Sequence, residues 1–319
     1  MPAIITHHVF GCEVHDKLGG IIGDSATARD AFLLGNIGPD PLFCVRYAPG
    51  KPWYAELGWI MHRQDPASLL AALHASFSFE GADEADEDTD VPKAYALGFV
   101  CHYLLDRTVH PIVYAQQHAI CKALPEKVSA DAGRVVHALV ETELDEFVLG
   151  SHLNKTVLDW LPHNHVLKCP APALSHVSRH MARIVLAAYG KPVPASLFEW
   201  AVKLHRSAQS LLDARITGLG TRLDYARLFR GSRSHIEAMT HRIRQQADTV
   251  FSNDDRVPWP PFPGYGNTVH QSFGELYDKA FAQALEVLPE FALPSFSQTD
   301  CEKLAGSVNF YGQQAQDIS

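Results

Sequence analysis

Apolar residues recur along most of this chain every three or four positions, with polar residues between them. That spacing places one apolar stripe on an α-helix. The pattern predicts helices over about 8–19, 25–35, 66–79, 92–109, 130–149, 173–188, 195–217, 221–230, 233–249 and 270–286. Strict alternation is scarce, and few β-branched clusters are bounded by turn residues, so strand signals are thin. The expected fold class is mainly α, a multi-helix bundle. Three segments interrupt the pattern. In 36-NIGPDPLF-43 two prolines flank Asp40 and forbid helix interior. The acidic run 80-EGADEADEDTD-90 reads as a solvated linker rather than a cation site. The aromatic, proline-rich 257-VPWPPFPGYGN-267 reads first as rigid packing against the core, and second as an exposed Trp259/Phe262/Tyr265 tip that touches lipid. With no internal repeat and no convincing linker, one domain is expected, with a core over 1–250 and a C-terminal extension over 251–319 packed on it.

Two stripes break the rule that a buried helix face is apolar. In 98-GFVCHYLLDRTVHPIVY-114, His102, Asp106 and His110 follow one another at intervals of four, so a helix stacks all three on one face among Phe99, Leu104, Leu105, Val109 and Ile112. His102 and His110 then lie ~12 Å apart along the axis, too far for one ion. If such a helix binds metal, more than one ion is expected, with Asp106 as the bridge. In 137-HALVETELDEF-147 the same spacing joins His137, Glu141 and Asp145. Bundles build metal sites from inward-pointing carboxylates and imidazoles at such spacings. A ligand set of imidazole and carboxylate without cysteine suits zinc, with iron or manganese behind it. A buried hydrogen-bond network is the competing reading. Two H-x-x-x-[DE] pairs within about forty residues favour metal.

Composition changes this picture little. Apolar residues make up 46% of the 319 and charged ones 20%, as in an ordinary globular chain. The formal charge is −9 with no Lys/Arg block, which speaks against gripping nucleic acid or anionic lipid by bulk electrostatics. Histidine is abundant at 18. The six cysteines are scattered and read as free thiols of a reducing compartment. The opening MPAIITHHVFGCEVHDKLGG has no basic n-region and does not read as a signal peptide. No segment approaches the ~18–20 apolar residues of a membrane span. A cytoplasmic protein is expected.

The ordered set 6-TH-7, 38-GPD-40, 58-GWIMH-62, 98-GFVCHYLLD-106 and 137-HALVE-141 resembles the zinc-dependent phospholipase C family, which shares a mostly helical fold and a three-zinc site with the single-strand-specific nucleases. The resemblance covers about the first 150 residues. It implies that Asp40, His62, His102 and Asp106 hold the first zinc. His110, His137 and Glu141 would hold the second, which keeps an open position. Asp106 would bridge to a third, bound in secreted members also by an N-terminal tryptophan and a nearby histidine that His7 matches. This chain opens with no tryptophan, so two or three ions are expected. It also departs at Asp106 to His110, which are four apart where the usual D-x-x-x-P-x-H pattern has six, and this resembles the form in glycosylphosphatidylinositol-specific phospholipase D. His8 and His15 compete with His7 for its role, Asp145 is expected to orient a ligand histidine, and His163/His165 and His176/His180 read as surface or structural pairs.

The activity implied is phospholipase C-like hydrolysis of a phosphodiester by a zinc-activated water, with Asp40 orienting that water or accepting its proton. The expected substrate is a phospholipid or related small diester, with peripheral membrane contact through 257–267. The alternatives are a nuclease on the same metal cluster, against which the acidic balance speaks, and a metal-binding helical scaffold without turnover.

Overall fold

The computed structural model describes residues 3–47, 52–78, 90–123, 132–213, 215, 237–243, 248–261 and 267–315. The chain is mainly helical. Its helices are α1 (Ile4–Ile22), α2 (Ala26–Gly35), α3 (Leu57–Arg63), α4 (Ala67–Ser78), α5 (Asp90–Ala123), α6 (Ala132–Leu153), α7 (Pro162–His165), α8 (Ala171–Tyr189), α9 (Leu197–Leu211), α10 (Phe273–Phe291) and α11 (Gln298–Ala305), with 3-10 turns at Asp40–Tyr47, Trp53–Glu56 and Val250–Ser252. Among the described residues no strand forms, only the isolated antiparallel bridges Trp259–Val269 and Val308–Gln314. No described helix is long and apolar enough to cross a membrane. The helix expected over 221–230, most of that over 233–249, and the acidic run up to residue 89 lie outside the described residues.

Two compact units can be drawn. The first takes Met1–Val9, Val109–Val166 and Ser207–Asp278, and the second takes Phe10–Thr108, Leu167–Arg206 and Lys279–Ser319.

In the second unit a glycine pair sets the geometry. A Cβ on Gly35 of α2 would run into Tyr95 O of α5, and a Cβ on Gly98 of α5 would run into Phe32 O of α2. The two helices therefore touch backbone to backbone, an approach that only glycine permits. Ser25 caps the start of α2, its hydroxyl accepting from Ala28 N at 3.0 Å. After Gly35 the chain turns through Gly38, whose φ is +55°, and delivers Asp40 to the first position of a 3-10 turn. α4 packs against α8 and α11, and α2 against α8. Burying that contact uses the apolar stripes of Leu69, Leu70 and Leu73 with Leu174, Val177 and Met181. The carbonyls at the end of α11 are satisfied by α5: Tyr103 Oη donates toward Val308 O at 2.7 Å and Ala305 O at 3.1 Å, and Arg107 Nη1 donates to Leu304 O at 2.6 Å.

In the first unit α6 buries four acids along its middle turns: Glu141, Glu143, Asp145 and Glu146. Buried carboxylates require partners. Glu146 accepts from Arg242 N, and Glu143 accepts from Thr249 Oγ1 at 2.8 Å and from the Arg242 guanidinium at 3.4 Å. Asp145 accepts from Ile5 N at 3.2 Å, Thr6 N at 2.8 Å, Thr6 Oγ1 at 2.6 Å and His241 Nε2 at 2.9 Å. Asp145 thus supplies the acceptors that the first turn of α1 lacks locally, and α1 starts at Ile4 rather than near residue 8.

Two other helices outrun their sequence signals. α5 continues through Pro111 to Ala123, because Ile112 and Val113 are buried and outweigh the lost ladder bond. α10 likewise passes Pro289 and ends at the buried Phe291.

In the 257–267 segment Trp259 is buried and its indole Nε1 donates to Gln271 O at 2.9 Å, so this ring packs into the protein instead of forming an exposed tip. Phe262 and Tyr265 lie outside the described residues.

Candidate metal centre

Four side chains converge in the second unit. Asp40 comes from the 3-10 turn after α2, His62 from the end of α3, and His102 and Asp106 from successive turns of α5. Asp40 Oδ1 lies 3.3 Å from His62 Nε2 and 3.9 Å from His102 Nε2. Asp106 Oδ2 lies 3.3 Å from His102 Nε2 and 3.7 Å from His62 Nε2. All four are buried, His102 completely.

The outer nitrogens decide what the inner ones offer. His62 Nδ1 is 2.6 Å from Gly58 O, and His102 Nδ1 is 3.1 Å from Asn36 O. A carbonyl only accepts, so each Nδ1 carries a hydrogen, and Nε2 is the nitrogen that faces the carboxylates and can serve as a metal ligand. Gly38 makes room for this: a Cβ there would run into the His102 ring.

A second set gathers in the first unit. His110 on α5 and His137 and Glu141 on α6 place His110 Nε2 3.4 Å and His137 Nε2 3.2 Å from Glu141 Oε1. The two rings stack at 5.7 Å and 21°. His137 Nδ1 faces Gln117 Oε1 at 2.9 Å, which again leaves Nε2 as the inward lone pair. The four-residue step from Asp106 therefore does deliver His110 to His137 and Glu141.

Zinc with bonds of about 2.0–2.1 Å in tetrahedral geometry has ligand atoms about 3.3 Å apart. In Asp40/His62/His102 and in His110/His137/Glu141 every ligand atom lies within 4.8 Å of the others, with the closest separations at 3.2–3.4 Å. Glu141 Oε2 is buried and accepts no hydrogen bond among the described residues. Both donor sets fit zinc in spacing and donor type, and the tautomers of His62, His102 and His137 agree with it.

The electrostatics agree. Burial pushes the Asp40 carboxyl up, but the hydrogen bond from His62 and the charge of His102 outweigh it and hold the group below the usual carboxylate range. Burial also pushes Glu141 up, and His137 and His110 together hold it well below normal. Burial pulls His102 down, and Asp106 more than reverses this, so its pKa is raised. Each carboxylate is kept ionised by the imidazoles beside it.

The remaining expected residues fall as follows. His7 is buried in the first turns of α1, one residue after Thr6, which Asp145 holds. Asp145 thus acts on the helix start that carries His7, not on a ligand ring. His8 lies against Trp160, with ring centroids 5.5 Å apart, and His15 against Phe32 at 6.0 Å. His165 stacks on Trp160 at 4.4 Å, and His176 Nε2 meets His180 Nε2 at 2.8 Å.

The sequence pattern gave no sign of one wall of the first cluster. Phe310 N donates to His62 O at 3.2 Å, and the Phe310 ring lies 5.2 Å from the His62 ring and 5.8 Å from that of His102. Tyr311 stacks on His62 at 5.7 Å and 23°.

The family model described as zinc-dependent phospholipase C matches residues 6–179, more than half of the chain and all of the residues of both clusters. The chain belongs to the zinc-dependent phospholipase C family. No curated protein and no solved structure matches it.

Proposed function

We propose that the chain is a phospholipase C-like phosphodiester hydrolase that binds two or three zinc ions, the first at Asp40, His62, His102 and Asp106 and the second at His110, His137 and Glu141. His7 is assigned to a third ion. The observation that carries this reading is the pair of buried imidazole–carboxylate clusters, each with inward lone pairs fixed by outer hydrogen bonds. Zinc, when bound, supplies Lewis-acid neutralisation of phosphoryl oxygens and a water acidic enough to act near neutral pH.

The protein's own part is positional. Asp40, held ionised, is the acceptor for a proton from the attacking water and orients its lone pair toward phosphorus. Gly58, Asn36 and Gln117 keep Nδ1 of His62, His102 and His137 protonated, so these three rings turn Nε2 inward as the ligand atom. Phe43, Phe310 and Tyr311 pack around His62 and exclude bulk water from its ring. The substrate class proposed is a phospholipid or related small diester, in a reducing, cytoplasmic setting that six free thiols support.

The test is elemental analysis of untagged protein beside Asp106→Ala, followed by phosphodiester hydrolysis with chelated and zinc-restored protein. About two to three zinc per chain, largely lost in the variant, with hydrolysis that follows zinc, is the expected result. Zinc bound without turnover of any diester would leave a metal-binding scaffold instead, and metal content unchanged by the substitution would remove the site.

A further inference from the structure

Large apolar side chains gather on one exposed face of the second unit. The 3-10 turn Trp53–Glu56 packs against the turn Asp40–Tyr47 and against α3, the elements that carry Asp40 and His62. It leaves the Trp53 side 36% exposed, with the Tyr54 ring 6.2 Å away. The end of α8 comes up beside it. Lys191 follows the capping Gly190, and its Nζ lies 5.6 Å over the Trp53 ring. Leu186 belongs to that same helix end, since its carbonyl accepts from Gly190 N at 2.9 Å, and it is 49% exposed. An indole, a phenol, an aliphatic chain and an ammonium thus share one stretch of surface.

The charges around these groups have one sign. Arg183 lies one turn before Leu186 on α8, and Arg46 lies on the Asp40–Tyr47 turn. Like Lys191, both are exposed, and none of the three has a carboxylate within ion-pair distance among the described residues. Against them the two 3-10 turns expose a single acid, Glu56. The face is therefore locally positive on a chain of formal charge −9. Indole and phenol rings favour the boundary between water and hydrocarbon, because each has an apolar body and a polar tip. Cations beside them are attracted to anionic head groups. Lysine is depleted from protein–protein interfaces, and here it sits over the indole itself. That composition matches a lipid surface better than a protein one.

We propose that Trp53, Tyr54, Leu186 and Lys191, with Arg46 and Arg183 around them, form a docking surface for a bilayer that contains anionic phospholipid. Trp53 and Leu186 enter the head-group boundary, and the cations meet lipid phosphates. The turn that carries Asp40 packs on the turn that carries Trp53, so docking brings the first cluster close to its lipid. The surface takes the place of the contact expected through 257–267, where the Trp259 ring is buried. Its purpose rests on the phospholipase reading, whereas bilayer binding needs no catalysis and is measured apart from it.

The experiment sediments full-length zinc-loaded protein with vesicles of phosphatidylcholine alone, and of phosphatidylcholine mixed equally with phosphatidylserine, as salt is raised. The parent is compared with Trp53→Ala, Leu186→Ser and Lys191→Glu, and zinc content and unfolding temperature are measured on each. Hydrolysis of a soluble short-chain diester is assayed on the same samples. The parent is expected to bind the mixed vesicles more tightly, and less so as salt rises. Partition is expected to fall ~5-fold or more in Lys191→Glu, the range for one basic residue at an anionic surface, and ~10-fold in Trp53→Ala. Leu186→Ser is expected to show a smaller fall, with zinc content and soluble-diester hydrolysis unchanged in all three. No vesicle binding by the parent, or equal binding by the parent and every variant, would overturn the surface. A fall confined to variants that lose zinc would overturn it too, because the residues would then act through the fold. So would a parent that ignores vesicles and self-associates through Trp53, which would give the face to a second copy. Vesicle binding through these residues without cleavage of any diester would keep the surface and defeat the hydrolase reading. Cleavage of the soluble diester without vesicle binding would do the reverse.

Discussion

Gly38 offers a measurement in which backbone strain and site disruption can be separated. Alanine at φ +55° costs ~1–2 kcal/mol from the left-handed backbone alone. Its Cβ would also run into the His102 ring, which is fully buried and cannot retreat without breaking its hydrogen bond to Asn36 O. Overpacking of this kind adds ~1–3 kcal/mol, so Gly38→Ala is expected to lose ~2–5 kcal/mol in all. Gly190 supplies the control. It ends α8 at φ +67°, and a Cβ there meets nothing within 4 Å. Gly190→Ala should therefore show the backbone part alone, ~1–2 kcal/mol. Urea unfolding of the metal-free proteins gives both values. Zinc competition against a chromophoric chelator then reports the site: Gly38→Ala should weaken binding at the first cluster by ~10–100-fold, the range for disturbing a group that orients a ligand, while Gly190→Ala leaves it unchanged. Equal losses of stability in the two variants, with equal zinc affinity, would refute the argument that Gly38 exists to seat His102.

Gln117→Leu removes the acceptor of the His137 Nδ1 hydrogen and should weaken zinc binding at the second cluster ~10–100-fold with little change in the first, read by the same competition. Burial pulls His205 down from its ordinary value of 6.5 to about 4, so the folded state binds fewer protons than the unfolded state between those values; stability is full above pH ~6.5 and falls by ~3 kcal/mol as pH drops to 4, a loss that His205→Gln should remove from the urea midpoints. Asp145→Ala strands the Ile5 and Thr6 N–H groups and His241, and should cost ~3 kcal/mol or more, with hydrogen exchange rising first at the start of α1. Trp259→Ala should cost ~3–5 kcal/mol by thermal unfolding if the ring is the core anchor its burial indicates; a loss below 1 kcal/mol would return it to the surface.

The two imidazole–carboxylate clusters were legible in the chain because helical periodicity makes a buried polar side chain visible as a violation. His102, Asp106 and His110 interrupt an otherwise apolar face at the return distance of one turn, and His137 and Glu141 repeat the interruption on the next long helix. Whatever depends on contacts remote in sequence left no such trace. The start of α1 is fixed by a carboxylate 139 residues away, so no local cap announced it. α3 and α11, at seven and eight residues, are too short for periodicity to separate them from loops. α5 passes Pro111 because tertiary burial outweighs a local penalty. Tyr311 carries no spacing relation to His62 and could be connected to it only through folding. The Trp259 segment was open to two readings because proline-rich aromatic sequence suits both a packed turn and an exposed tip, and burial of that indole settles its ring toward packing.

The wall formed by Phe310 and Tyr311 also bears on the order of events during synthesis. All four residues of the first cluster have been synthesised by position 106, and the folding of nascent chains proceeds from the N-terminus. The stacking partner of His62 emerges some two hundred residues later. Until then His62 has no Tyr311 against its face and no Phe310 N–H on its carbonyl, and the imidazole of a growing chain is open to any thiophilic or imidazole-seeking ion in its surroundings. Closure by residues 309–313 is therefore a late event, and before it His62 lacks the two aromatic contacts that enclose its ring.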